Sequence, residues 1–179
     1  VYAGSTEDQK ATFFSEGQVE VQGSGNLTLK SVSNHAFCSD DHIVINAGNI
    51  TVSGAGKDGI HTNSYFNMNG GTLNITATGD GIDCENGPVE ITGGEITTIN
   101  SAANVNSIDS YGNLTISGGT IRMTISGNRS KGLRAGQGMG LSGGDITINA
   151  TGNAALVTSG SGSEPDYCTA IKGSGDIQV

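Results

Sequence analysis

A short unit that recurs between residues 19 and 148 limits this chain to a few possible folds. Each copy contains an apolar-polar-apolar triplet, a glycine corner, a second triplet and a third short apolar segment. Repetition at a period of about 20–50 residues is typical of solenoids and propellers. The first triplets follow one another in steps of 24, 23, 23, 25 and 25 residues, and they begin at Val19, Ile43, Phe66, Val89, Leu114 and Met139.

Alternation within each unit predicts β-strands, because apolar residues occupy every second position, as in Leu73-Asn74-Ile75. Glycine pairs such as Gly70-Gly71 mark the corners, where glycine allows a positive φ. A propeller blade would need about 40 residues. The sequence therefore predicts an all-β, right-handed parallel β-helix (a β-solenoid) with three strands per ~23-residue turn and about six turns.

Three parts of the chain depart from the unit. Residues 1–17 fit no copy and are interpreted as an N-terminal cap, which leaves residues 18–179 as the β-helix domain. An insertion, Asn153 to Cys168, lengthens the last full turn and is expected to be flexible or functional. The final residues, Gly175 to Val179, match the first strand of another turn. An open edge strand there predicts end-to-end self-association with a second chain.

Composition narrows the classes of function. The net charge is −9, from 8 basic and 17 acidic residues, which argues against nucleic acid as a partner. No run of about 20 apolar residues occurs, so no membrane span is predicted. Tyr65, Tyr111 and Tyr167 fall at different positions of the repeat, so no aromatic platform for a neutral glucan is expected.

The period also predicts which residues stack at the third corner of successive turns. The third strands are centred on Phe37, Ile60, Ile82, Ile108, Leu133 and Ile171. The column two residues before these centres contains His35, Asp58, Asp80, Asn106, Lys131 and Thr169. The column one residue after them contains Cys38, His61, Asp83, Asp109, Arg134 and Lys172.

These columns bring carboxylates together, with Asp58 on Asp80 and Asp83 on Asp109. Like charges ~4.8 Å apart repel by about 1 kcal/mol in water and more in a protein. A hard cation relieves this repulsion, so we predict calcium at Asp58, Asp80, Asp83 and Asp109. The alternative is that the carboxylates are exposed or accept hydrogen bonds from turn amides. Weaker candidates are Glu85, Asp40 and Asp41.

Basic residues follow in the next turn. Four of the eight lie between Arg122 and Arg134, namely Arg122, Arg129, Lys131 and Arg134. Arginine forms paired hydrogen bonds with carboxylates. We therefore predict that Arg122, Lys131 and Arg134 bind an acidic sugar. Beside calcium, a Lys or Arg could also act as the base of a polysaccharide lyase. The other alternative is that these cations only balance the acidic columns.

Other apparent motifs carry no function. The G-x-S-x-G match at Gly140–Gly144 occupies a repeat corner and lacks a strand-to-helix elbow. His35, His42 and His61 lack the spacing of a zinc motif. Cys38 and Cys84 lie two turns apart, which is beyond disulfide reach.

Three segments resemble one bacterial family, the carbohydrate-binding domain-containing β-helix proteins, of which a clostridial member is similar in fold to pectate lyases. The segments are Phe14-Ser15-Glu16-Gly17-Gln18-Val19-Glu20-Val21, His35-Ala36-Phe37-Cys38-Ser39-Asp40-Asp41 and Gly79-Asp80-Gly81-Ile82-Asp83. The resemblance implies a secreted or cell-surface protein that holds calcium at Asp-rich corners. It also implies binding of acidic polysaccharide or cellulose without catalysis. Three corners depart from the family's D-G-I pattern, and calcium is not expected there: His35-Ala36-Phe37, Asn106-Ser107-Ile108 and Lys131-Gly132-Leu133.

The sequence thus predicts an extracellular, non-catalytic domain that binds acidic polysaccharide with calcium. A structural protein that assembles end to end into extracellular fibres and a calcium-dependent polysaccharide lyase are the two alternatives.

Overall fold

The computed structural model describes residues 9–179, and every regular element in that range is a β-strand. No helix of a length and apolarity that would cross a membrane occurs among these residues. Twenty strands form three parallel sheets, and the other two form a hairpin.

Each sheet collects one strand from every turn. The first sheet has seven strands in the order β1 Ala11–Ser15, β4 His35–Ser39, β7 Ile60–Thr62, β10 Ile82–Cys84, β13 Asn106–Ser110, β16 Lys131–Ala135 and β21 Thr169–Gly173. The second also has seven, β2 Val19–Val21, β5 His42–Ile45, β8 Tyr65–Met68, β11 Val89–Ile91, β14 Leu114–Ile116, β17 Met139–Leu141 and β22 Ile177–Gln178. The third has six, β3 Asn26–Lys30, β6 Asn49–Gly54, β9 Thr72–Ala77, β12 Glu95–Asn100, β15 Thr120–Ile125 and β18 Asp145–Ala150.

The strand register matches the columns read from the sequence. Ile82 of β10 lies between Ile60 and Ile108 as Cα partner of both, and Asp83 lies between His61 and Asp109. The predicted β-solenoid, with three strands per turn and about six turns, is therefore confirmed.

The core lies between the three sheets because alternate side chains of every strand point inward. On β9, Leu73 and Ile75 are buried and Asn74 is exposed. Isoleucine, leucine and valine stack from turn to turn, so each turn covers the apolar face of the next. Removal of this surface from water is the main stabilising term of the fold.

The corner after each second-sheet strand requires glycine. Gly94 has a φ of +84°, and a Cβ there would lie 2.9 Å from the carbonyl carbon of Gly70 in the turn before. Five other glycines repeat this positive φ in the same column, Gly23, Gly48, Gly71, Gly119 and Gly144. At Gly71, Gly94 and Gly119 the preceding turn also leaves no space for a side chain.

Two of the atypical segments join the solenoid. Ala11–Ser15 pairs in parallel with β4, and the Phe13 ring packs on Phe37 with centroids 4.7 Å apart. Residues 1–8 of the predicted cap lie outside the described residues, and the cap itself stays a prediction. At the other end β22 pairs with β17, and end-to-end self-association likewise stays a prediction.

The insertion forms an antiparallel hairpin rather than an irregular loop. Strand β19 covers Ala155–Ser159 and strand β20 covers Gly162–Asp166, joined through Gly160 with a φ of +58°. The hairpin ends at Asp166, which reaches back to the first sheet and helps to form the site described next.

Candidate functional site

The carboxylates of the third corner form a compact group. Asp80 precedes β10, Asp83 lies on β10 and Asp109 on the neighbouring β13. Each of the three offers a carboxylate oxygen within 4.8 Å of the other two. The register places them there because successive third strands stack directly on one another.

Asp80 is held in this group by its neighbour Asn106. The backbone N–H of Asn106 donates to Asp80 Oδ1 at 2.6 Å, and its side-chain amide donates to Oδ2 at 3.2 Å. Burial nevertheless raises the pKa of Asp80 to about 7, and the charges of Asp58 and Asp109 act in the same direction. Asp80 is thus partly protonated near neutral pH.

Asp109 already has a cationic partner. Arg134 Nη1 donates to both of its carboxylate oxygens, at 2.6 and 2.7 Å, and Asn106 Nδ2 donates to Oδ2 at 2.9 Å. Burial raises the pKa of Asp109 even so, with the nearby Asp83 charge adding to the effect. Arg134 therefore neutralises one edge of the acidic group.

Asp58 belongs to a different group from the one expected. Its Oδ1 accepts a hydrogen bond from the backbone N–H of Asp80 at 2.6 Å. Its Oδ2 faces His35 Nδ1 at 3.0 Å and His61 Nδ1 at 3.8 Å. The structure thus keeps Asp58 beside Asp80 but turns its Oδ2 toward two histidines rather than toward Asp83 and Asp109.

A cleft opens beside the acidic group, with a volume of about 380 Å³. Its lining is almost entirely polar and combines three aspartates, two asparagines and four cations, namely Asp80, Asp109, Asp166, Asn104, Asn106, Arg129, Lys131, Arg134 and Lys172. Such a lining suits a hydroxyl-rich or charged ligand better than an apolar one.

Lys131, a predicted ligand-binding residue, is 5% exposed and fully engaged within the protein. Its ammonium group donates to Asp166 Oδ1 at 2.9 Å, to the carbonyl oxygen of Tyr167 at 2.9 Å and to the carbonyl oxygen of Arg129. An ammonium group has three N–H donors, so none remains for a ligand. Lys131 anchors the hairpin under the cleft.

Arg129 also lines the cleft. Its Nε lies 3.3 Å from Asp166 Oδ2, and its Nη2 donates to Asn104 Oδ1 at 3.2 Å. The bonds from Lys131 and Arg129 hold the pKa of Asp166 below its usual value. The insertion therefore supplies the counter-charge for two of the cleft's cations.

Lys172, like Arg129, is a cleft cation that was not among the predicted ligand-binding residues. It lies on β21, directly across from Arg134, and its side chain is exposed. Among residues 9–179 no carboxylate comes within 4.0 Å of its ammonium group. Its place in the column of Asp83, Asp109 and Arg134 was the signal that could have identified it.

Arg122, by contrast, lies outside the cleft. It projects from β15 on the third sheet, where it is exposed and its Nη2 lies 3.4 Å from Asp145 Oδ2. The structure brings Lys131 and Arg134 together but leaves Arg122 on another face of the solenoid. Whether any of the three binds a ligand stays a prediction.

An exposed tyrosine borders the acidic group on its other side. Tyr111 is 62% exposed and lines a small depression with Asp83, Glu85, Asp109 and Arg134. Its ring is thus available for contact with the apolar face of a sugar. Sequence reasoning missed this residue because it searched for tyrosines that share one column.

The spacing of the carboxylate oxygens in the acidic group is also compatible with a bound calcium ion. Ca²⁺ binds oxygen atoms at about 2.3–2.6 Å, so oxygens on opposite sides of one ion lie roughly 5 Å apart. The separation among the oxygens of Asp80, Asp83 and Asp109 is within that distance. These three residues could therefore hold the ion, whereas Asp58 is turned toward nitrogen donors.

Comparison with protein-family models matches residues 2–177 to a family described as carbohydrate-binding domain-containing protein. No curated protein matched the chain. No solved structure matched it either.

Proposed function

Since the chain belongs to the carbohydrate-binding domain-containing protein family, we propose that it binds an acidic polysaccharide in the cleft beside Asp80. Calcium held by Asp80, Asp83 and Asp109 completes the site. The observation that carries the proposal is the cleft of about 380 Å³, whose polar lining places cations next to a group of carboxylates. A polysaccharide rich in uronate carboxylates matches that combination of charges.

Lys172 and Arg134 are the cations best placed to meet a ligand carboxylate. Lys172 is exposed and lies beside Arg134 on the adjacent strand. Arg134 is about two-fifths exposed, so part of its guanidinium faces the cleft while Nη1 holds Asp109. Guanidinium and ammonium groups form the strongest hydrogen bonds with carboxylates.

Calcium would complete the site by neutralising the acidic group. When bound, the ion supplies a positive centre to which a uronate oxygen can coordinate. Without a cation, Asp80, Asp83 and Asp109 oppose the approach of a polyanion, as does the net charge of −9. Binding is therefore expected to depend on calcium.

The contacts of Lys131 and Arg134 favour binding over lyase chemistry. A lyase needs a base directed at the proton of the sugar. Lys131 donates all three of its N–H groups to protein oxygens, and Arg134 is fixed on Asp109. We propose accordingly a non-catalytic protein that is secreted or displayed at the cell surface, where such polysaccharides occur.

Titration with polygalacturonate by calorimetry tests the proposal. We expect binding in calcium, loss of binding after chelation and recovery when calcium, but not magnesium, is restored. Lys172→Ala should weaken binding by about tenfold, which corresponds to roughly 1.4 kcal/mol for one charge-assisted contact.

Arg122→Ala is the matched control, because it removes one positive charge from an exposed side chain on another sheet. It should leave the affinity unchanged. Equal losses in the two variants would place the ligand elsewhere, and calcium-independent binding would contradict the role of the acidic group. Measured release of unsaturated sugars from the same polymer would contradict the non-catalytic assignment.

A further inference from the structure

A second metal-ligand group lies next to the acidic one and is built mainly of nitrogen donors. His35 on β4 and Asp58 and His61 at β7 place one ligand atom each within 4.8 Å of one another. All three are largely buried, with side chains 10%, 18% and 12% exposed. A buried group of this composition needs a physical reason, because burying charge without compensation is costly.

The distances within the group fit one tetrahedral ion. Zinc bonds of about 2.0–2.1 Å place neighbouring ligand atoms roughly 3.3–3.4 Å apart. Asp58 Oδ2 lies 3.0 Å from His35 Nδ1 and 3.8 Å from His61 Nδ1, which bracket that value. Both ring nitrogens therefore face the same carboxylate oxygen. His35 Nδ1 also accepts a hydrogen bond from the backbone N–H of Asp58 at 3.3 Å, and His61 Nδ1 lies 2.9 Å from Asp83 Oδ2, so a bound ion would take over these contacts.

The stacking of the two imidazoles supports the same conclusion independently. Their ring centroids lie 4.4 Å apart with an interplanar angle of 25°. The stacked rings place one nitrogen of each imidazole near the Asp58 carboxylate, so the two histidines can offer donors to the same ion.

Neighbouring groups orient the three ligands. The backbone N–H of Asp80 donates to Asp58 Oδ1, which turns Oδ2 toward the histidines. Glu85 Oε2 lies 3.6 Å from His61 Nε2, the ring nitrogen that faces away from Asp58. The second nitrogen of a metal-bound histidine usually donates to a carboxylate, a backbone carbonyl or water, and Glu85 is the carboxylate near enough to take that role after a small movement. Asp83 Oδ2, 2.9 Å from His61 Nδ1, is the nearest further carboxylate.

We propose that His35, Asp58 and His61 bind a divalent transition-metal ion, zinc in the first instance, at a site that adjoins the proposed calcium ligands. Two imidazoles and one carboxylate select zinc and its neighbours over calcium, which prefers oxygen ligands throughout. The ion links β4 to β7 and so ties two successive turns of the solenoid together. The proposal does not depend on polysaccharide binding.

Calorimetric titration of the metal-free 179-residue chain with zinc chloride, in excess calcium, tests the site. We expect one zinc ion per chain, a rise in the melting temperature and an absorption spectrum of tetrahedral type when cobalt replaces zinc. His35→Gln and His61→Gln should each weaken zinc binding by more than about tenfold. Asp58→Asn should do the same while it keeps the side-chain shape, which guards against a folding defect.

His42→Gln is the matched control. His42 is also partly buried beside a carboxylate, Asp41, but stacks on Tyr65 rather than on a second histidine. Zinc binding should be unchanged in this variant. Zinc binding that survives both His35→Gln and His61→Gln, that calcium displaces, or that does not occur at all would overturn the proposal.

Discussion

Asp80 shows how the stack sets the chemistry of a single side chain. Its position in the turn is the same as that of Asp58, Asn106 and Lys131, yet each of these has different neighbours above and below. Asp80 is buried and lies near the charges of Asp58 and Asp109, so its charged form is disfavoured. The conflict between burial and charge is what a cation would relieve.

We predict that Asp80→Asn stabilises the metal-free protein at neutral and alkaline pH. The pKa of Asp80 is about 7 in the folded protein, against 3.8 for the free side chain. A group with a raised folded pKa contributes its full stability below the unfolded pKa and loses it as the pH rises through the folded pKa. The variant has no such loss, so its melting temperature should exceed that of the wild type at about pH 8 and approach it at about pH 4.

Thermal unfolding in the presence of a chelator, followed across this pH range, measures the difference. Each 1 kcal/mol added to the free energy of unfolding raises the melting temperature by roughly 2–4 °C in a chain of this size. In calcium the order should reverse, because the variant lacks one ligand. A difference that stays the same at all pH values would contradict the assigned titration.

Among the elements, the strands and corners are the parts that the sequence predicted best. Strict alternation and a nearly constant period placed Ile82 on Ile60 and Ile108, and the structure has the same register. The hairpin was not predictable, because its residues belong to no repeat and its contact with Lys131 spans 35 positions.

The candidate site was predicted less completely, for a related reason. A register states which residues are neighbours but not where their side chains turn. Asp58 was expected among the carboxylates, yet the Asp80 N–H and two histidines direct it elsewhere. Arg122 was expected near the other cations, yet its strand lies in the third sheet.

Two of the glycine corners allow the stability cost of backbone strain to be measured separately from the cost of a steric clash. Gly94 and Gly23 have nearly the same φ, +84° and +91°, but only at Gly94 would a Cβ meet atoms of the preceding turn. We predict that Gly23→Ala costs about 1–2 kcal/mol, the strain of a left-handed conformation. Gly94→Ala should cost clearly more, because the backbone of two turns must also shift.

Urea unfolding of both variants tests this, since equal m-values make the midpoints directly comparable. Equal losses of stability in the two variants would mean that the backbone around Gly94 shifts to accept a side chain at little cost.

The hairpin is predicted to depend on Asp166. Asp166→Asn leaves the buried Lys131 without its carboxylate, which should cost about 1–3 kcal/mol. Because the pKa of Asp166 is lowered, its contribution is present above the unfolded value of 3.8 and is lost as the pH falls through the lower folded value. Limited proteolysis between β19 and β20, together with thermal unfolding, should detect a loosened hairpin.

Asp145→Asn provides the control for that measurement. Asp145 also pairs with an arginine, but both side chains are more than half exposed, and exposed pairs contribute little. The same loss of stability in both variants would show that Asp166 has no special role.

For the molecule as a whole, each turn is stabilised mainly by the turns on either side. In the third sheet β9 and β12 have neighbours on both sides, whereas β3 and β18 lie at its edges. Burial follows the same order, since Ile96 on β12 is fully buried and Ile146 and Ile148 on β18 are only partly so. Stacks of this kind have local stabilities that add between neighbours.

We therefore predict a gradient of hydrogen-exchange protection along the solenoid of the 179-residue chain. Backbone amides of β9 and β12 should exchange most slowly, and those of β18 and β3 faster, because local opening of an edge strand exposes less apolar surface. Zinc should slow exchange in β4 and β7, whereas calcium should slow it around Asp80 and Asp109, if each ion binds at its proposed ligands. Exchange measured by mass spectrometry with and without each ion gives both readings. Uniform protection across the four strands of the third sheet would instead show that the stack opens as one cooperative unit.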